Sequence, residues 1–162
     1  MIIRRTLAAV LVLAAPAMSG CALQGLDFRA DTRLTITAPP DRATVVVPFP
    51  LTWTLDDPRP SESGFAVLVD VDPPAPGRAM TTLLPEAQQG AACDADCQQK
   101  ALSARGVTLT RATSLLVSTL PHASGVPEEQ ARRHRITVVV VDDDGRRVGE
   151  VSASVTVDEE RP

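Results

Sequence analysis

Residues 134–157 read HRITVVVVDDDGRRVGEVSASVTV, and this stretch decides the fold. Ile136-Thr137-Val138-Val139-Val140-Val141 is the strongest β-branched run in the chain. Such side chains fit a pleated, packed surface and lose rotamer freedom in a helix. Asp142-Asp143-Asp144-Gly145 follows, and Asp-Gly is a strong short-range signal for a tight hairpin. The return half places Val151, Ala153, Val155 and Val157 on one face and Glu150, Ser152, Ser154 and Thr156 on the other. A period of two marks a strand with one buried face. The stretch is therefore expected to be a β-hairpin.

The same alternation recurs toward the N-terminus. Leu34, Ile36 and Ala38 alternate with Thr35 and Thr37, and Pro39-Pro40 ends the run. Thr44-Val45-Val46-Val47 stops at Pro48. Leu51, Trp53 and Leu55 alternate with Thr52 and Thr54, and Phe65, Val67, Val69 and Val71 alternate with Ala66, Leu68 and Asp70. Pro73-Pro74-Ala75-Pro76-Gly77 reads as a turn, because proline cannot donate to a central ladder. Residues 80–84 are expected to form a short edge strand, and residues 114–120 a further strand. About seven short strands separated by turns predict an all-β fold, a sandwich of two sheets spanning residues 33–158. Residues 159–162 are expected to be a frayed tail.

Residues 85–106 break the pattern. They lack alternation and are rich in Ala, Gln and polar residues. Asp94-Ala95-Asp96-Cys97-Gln98-Gln99-Lys100-Ala101-Leu102 suits a helix, with acids first and Lys100 late, capped near Gly106. A partly helical insertion is the expectation. Long ordered loops often carry function, so Asp94, Asp96, Gln98, Gln99 and Lys100 are the candidate binding residues.

The N-terminus speaks of location. Arg4-Arg5 precede an apolar run of about ten residues, half of what a membrane span needs. Pro16, small residues and then Cys21 follow. A charged start, a short apolar core, small residues and a cysteine resemble the lipobox of bacterial lipoproteins. Met18 stands where that pattern usually has Leu. The resemblance implies that residues 1–20 are cleaved and that Cys21 carries a diacylglyceryl group as the new N-terminus. Two acyl chains anchor a protein stably, whereas one does so marginally. Residues 21–32 then form a tether. The expected site is the outside of a cell membrane or an outer membrane.

With Cys21 assigned to lipid, Cys93 and Cys97 remain. An oxidising compartment favours a disulfide between them. Its small loop is worth about 2 kcal/mol at most. A metal site using Asp94 and Asp96 is the rival, although structural zinc prefers four nitrogen or sulfur ligands. A thioredoxin-like motif has two residues between its cysteines, and this one has three.

ITAPPDRATVVVPFPLTWTL (36–55) resembles the opening strands of bacterial immunoglobulin-like and fibronectin type III-like domains, with Trp53 at their inward tryptophan. HRITVVVVDDDGRRVGEVSASVTV (134–157) is similar to their closing hairpin. The resemblance implies an immunoglobulin-like sandwich in which Trp53 anchors the core without a disulfide bridging the sheets. FAVLVDVDPPAPG (65–77) and the closing hairpin also resemble envelope lipoproteins of GC-rich bacteria, often actinobacterial, and that resemblance carries over no activity.

Ser61-Glu62-Ser63-Gly64 lacks the Gly-x-Ser-x-Gly form of a nucleophile elbow. No HExxH, phosphate-binding loop or dinucleotide fingerprint occurs. His122 is expected in a solvated loop and His134 at a strand edge. Asp70 and Asp72, with Asp142, Asp143 and Asp144, could meet around Ca²⁺ if their loops shared one pole, since Ca²⁺ takes six to eight oxygens. The alternative is that these acids shape turns and solvate a surface. Three Phe, one Trp and no Tyr leave few platforms for sugar binding or protein hot spots.

Charge excludes another class. Losing 20 of 162 residues, Arg4 and Arg5 among them, leaves 142 with 14 bases against 20 acids, a net charge of about −6. No concentrated basic face exists for phosphate, so nucleic acid is not an expected partner. No cofactor is expected and the chain does not read as an enzyme. It reads as a lipid-anchored envelope module that binds or braces an envelope protein or polymer. An extracytoplasmic Ca²⁺ or small-ligand binding protein, or a non-catalytic subunit of an envelope enzyme, is the alternative.

Overall fold

The computed structural model describes residues 31–89, 93–121, 125 and 127–160. The expected signal peptide, Cys21, most of the tether and His122 lie outside the described residues.

Eight strands form two sheets: β1 Leu34–Ala38, β2 Ala43–Val45, β3 Phe49–Leu55, β4 Gly64–Val69, β5 Val107–Thr110, β6 Ser114–Val117, β7 Arg133–Val141 and β8 Arg147–Glu159. One sheet has the order β1-β3-β6 and the other β2-β8-β7-β4-β5. All pairs are antiparallel except β2 with β8. Strands distant in sequence are thus neighbours in both sheets, β3 with β6 and β4 with β7, as in an immunoglobulin-like sandwich.

The space between the sheets holds one core. Leu51, Trp53 and Val117 face Phe65, Val67, Ile136, Val138, Val140, Val155 and Val157. Trp53 is 2% exposed and meets Phe65 edge to face, with ring centroids 5.4 Å apart at 71°. This geometry suits the aromatic quadrupole. The inward tryptophan does occupy the core.

The central strands are buried on both faces, which the reading of one buried face does not anticipate. Every residue of β4 is buried, as are the last six of β7. The outer face of the larger sheet has its own core of Ala66, Leu68, Val107, Val139 and Val141. Met80, Leu84 and Leu102 cover it. Unbroken apolar runs are what strands covered on both sides require. The insertion is therefore a third layer over the sandwich.

Two expectations are corrected within that layer. Residues 80–84 are not an edge strand: Met80–Leu83 is a 3₁₀ turn. In a strand, Thr82 would point into the core with Met80 and Leu84; in the turn its hydroxyl donates to the Ala79 carbonyl at 2.7 Å. Helix α1, Ala95–Ser103, supplies the helical part. After it, Gly106 adopts φ +78° and accepts the Val69 N–H at 2.8 Å. β5 follows directly, a strand of only four residues beyond those expected from the sequence.

The expected tail also changes. β8 continues through Glu159, which pairs with Val45 of β2. The Glu159 N–H donates to the Arg132 carbonyl at 2.7 Å and the Glu160 N–H to the Val45 carbonyl at 2.8 Å. Parallel pairing with β2 keeps this end in the sheet.

Candidate functional site

Register divides the acidic residues between two poles. Gly64 pairs with Val141 and Val69 with Ile136, so Asp70 and Asp142 lie at opposite ends of the larger sheet. The shared Ca²⁺ site that a single pole would allow is not assembled. Asp142 instead accepts the backbone N–H groups of Asp144 and Arg146 at 3.0 and 2.8 Å and shapes its own hairpin. Asp143 pairs with Arg111 at 3.2 Å, and Asp72 pairs with Arg135. Among the described residues, no group of three or more His, Cys, Asp or Glu side chains could hold a metal ion.

The insertion residues have structural duties. Cys93 and Cys97 form a disulfide. Asp94 caps α1 by accepting the Cys97 N–H at 2.9 Å, which satisfies an N-terminal donor of the helix. Gln98 donates from its side chain to the Cys93 carbonyl at 2.9 Å. Asp96, Gln99 and Lys100 are exposed and line a shallow depression with Ser103. Of the five candidate binding residues, these three share a solvent-facing surface, while Asp94 and Gln98 hold the start of the helix.

Asp70 and His134 form a pair that strand periodicity does not reveal. His134 stands at the start of β7, as expected, but β7 lies between β4 and β8 and His134 is 2% exposed. Its Nδ1 is 2.7 Å from Asp70 Oδ2. Asp70 Oδ1 accepts the Arg135 N–H at 2.8 Å, and the Asp70 N–H donates to the Arg135 carbonyl at 2.9 Å. A carboxylate on Nδ1 orients an imidazole for proton transfer only where Nε2 reaches a substrate. Here Nε2 is buried and has no hydrogen-bonding partner among the described residues. The pair fastens the end of β4 to the start of β7.

Beside it, the pole carrying the end of β8 presents a groove of about 960 Å³. Thr44, Arg132, Arg133 and five acids, Glu128, Glu129, Asp158, Glu159 and Glu160, line it. Arg132 pairs with Glu128, which raises the Arg132 pKa, and Arg133 pairs with Asp158 at 3.3 Å. The groove depends on β8 reaching β2 through Glu159, which a frayed tail at 159–162 would not provide.

At the other pole the chain enters through Arg33. Its guanidinium clasps Glu62, with Nη2 to Oε1 at 2.7 Å and Nη1 to Oε2 at 3.0 Å. A short segment on each side of β3 is thus joined by charge. No local pattern in the sequence links positions 33 and 62.

No family model matches the chain, and no curated protein matches it. Among solved structures, it is similar to fibronectin(III)-like modules of Clostridium thermocellum CbhA, at 15% identity and a TM-score of 0.39, covering 79% of this chain and 99% of that one. The chain is an all-β sandwich with a small helical insertion, and that class stands on its own strand order and register.

Proposed function

We propose that this chain is a lipid-anchored module of a bacterial cell envelope that binds or braces another envelope component through the pole far from its anchor. The observation that carries the reading is the placement of the chain's start. β1 begins beside the end of β3, because Leu34 pairs with Leu55. β8 ends at the opposite pole, with Glu159 beside Val45.

Cys21 precedes Asp31 by ten residues, a reach of about 35 Å when extended. The 13 residues of β8 span about 44 Å. A diacylated Cys21 would hold the N-terminal pole near the bilayer and turn the acidic groove toward the envelope. Sequence patterns support the anchor, and the closed packing of both sheets suits a rigid spacer or binding module.

Fractionation of the producing bacterium tests the reading. The protein should sediment with membranes, and Cys21→Ser should release it to the soluble fraction. Crosslinking from Glu129 or Glu160 should then capture an envelope component that crosslinking from Asp143, at the other pole, does not. Membrane retention of the Cys21→Ser protein, or equal capture from both poles, contradicts the reading.

A further inference from the structure

The segment between β3 and β4 is held to the start of the domain by one residue, Arg33. Arg33 Nη1 donates to the Asp57 carbonyl at 2.9 Å, and the Arg33 carbonyl accepts the Asp56 N–H at 2.9 Å. The same guanidinium takes both oxygens of Glu62, whose side chain is 1% exposed. Glu62 Oε2 also accepts the Arg59 N–H at 2.7 Å. Arg33 Nε and Nη2 meanwhile hold Asp31 at 3.0 and 3.1 Å. Among the described residues, every hydrogen bond given for residues 56–62 to another part of the chain ends on Arg33.

We infer that Arg33 and Glu62 form an acid-released latch that fastens residues 56–62 to the start of β1. A bidentate guanidinium–carboxylate pair is strong because both groups are charged and geometrically matched. A buried pair is also unforgiving, since neutralising one partner leaves the other without its counter-charge. The charged groups facing Glu62 are Arg33 and Asp31 from the entering chain and Arg59 from its own loop. Once Glu62 is protonated, the loop loses the guanidinium–carboxylate pair and keeps the bonds that join Arg33 to the Asp57 carbonyl and the Asp56 N–H. The rest of the sandwich, with its two apolar cores, has no need of this contact.

The sign follows from linkage. The hydrogen bond from Arg33 holds the Glu62 carboxyl below its ordinary value of 4.5, against the opposing effect of burial. The same arginine lowers Asp31. A carboxylate with a depressed folded pKa contributes stability that is fully present above its unfolded value and is lost as pH falls through the folded one. The latch is therefore shut at neutral pH and opens as the pH falls through the lowered value of the Glu62 carboxyl, beneath its ordinary one.

Hydrogen exchange of the full chain, corrected for the intrinsic pH dependence of exchange, tests the inference. On stepwise acidification from pH 7 through the protonation of Glu62, residues 56–63 should exchange at least about tenfold faster while residues 136–141 stay protected. Glu62→Gln should show the loosened loop already at pH 7 and no further change in acid. Arg33→Lys keeps the charge without the fork and should release at a higher pH than the wild type. Unchanged protection of residues 56–63 in acid overturns the latch. So does acid loosening of the same size in Glu62→Gln, or simultaneous opening of loop and core.

Discussion

Asp70 Oδ2 sits 2.7 Å from His134 Nδ1 while its Oδ1 takes the backbone N–H of Arg135 at 2.8 Å. One carboxylate thus satisfies two donors at the junction of β4 and β7. Asp70 does this from φ +56°, a left-handed conformation that Asp and Asn tolerate better than other side chains. Asp70→Ala would leave both donors without an acceptor and put in that conformation a side chain with no oxygen to support it. The expected cost is about 2–4 kcal/mol, measured by urea unfolding. Asp70→Asn keeps an acceptor and the backbone preference and should cost clearly less. Equal midpoints for wild type and Asp70→Ala would show that the junction does not depend on the carboxylate.

Trp53 fills the centre of the inter-sheet core at 2% exposure. Truncation to Ala should cost about 3–5 kcal/mol. Such a loss is a large part of the about 5–15 kcal/mol that stabilises an ordinary domain. The thermal midpoint is the direct readout, and a change of less than about 3 °C would contradict the packing described.

The third layer makes a separate prediction. Leu102 of α1 is 1% exposed and lies in the outer core with Leu68 and Val139. Leu102→Ala should cost about 2–5 kcal/mol, whereas Gln99→Ala on the solvent side of the same helix should change stability by less than about 0.5 kcal/mol. A solvated excursion would give two equally small effects.

Gly106 closes that layer onto the sheet. At φ +78° its position allows no ordinary side chain, and an added Cβ would lie 2.7 Å from the Val69 carbonyl oxygen. Gly106→Ala should therefore destabilise by more than about 1 kcal/mol. It should also raise hydrogen exchange at the Val69 amide, which donates to Gly106. A neutral outcome in denaturant unfolding would mean that the β4 end and the insertion move independently.

The parts of this fold legible in sequence are those with strong local signals. The run 136–141, the Asp-Gly turn and the alternation of 151–157 specify β7, the hairpin and much of β8 without further help. Trp53 was recognisable as a core residue because it shares a face with Leu51 and Leu55, alternating with Thr52 and Thr54. β5 was not legible, because Val107-Thr108-Leu109-Thr110 alternates over only four residues, a run short enough to occur by chance. The outer core escaped notice for a different reason. Met80, Leu84 and Leu102 are scattered in sequence and gather only once the insertion folds back on the sheet. Asp70 with His134, and Arg33 with Glu62, are pairings across 64 and 29 positions that no periodicity encodes. The groove required knowing that β8 runs to Glu159. The candidate insertion residues drew attention by loop length, yet Asp94 and Gln98 turned out to serve the helix start.

Mass spectrometry of the N-terminal peptide, from protein taken out of its native membrane, tests the account's central claim most directly. The account predicts Cys21 as the first residue with a diacylglyceryl group on its Sγ. An unmodified Cys21 thiol, or a mature chain that still carries residues 1–20, would contradict it.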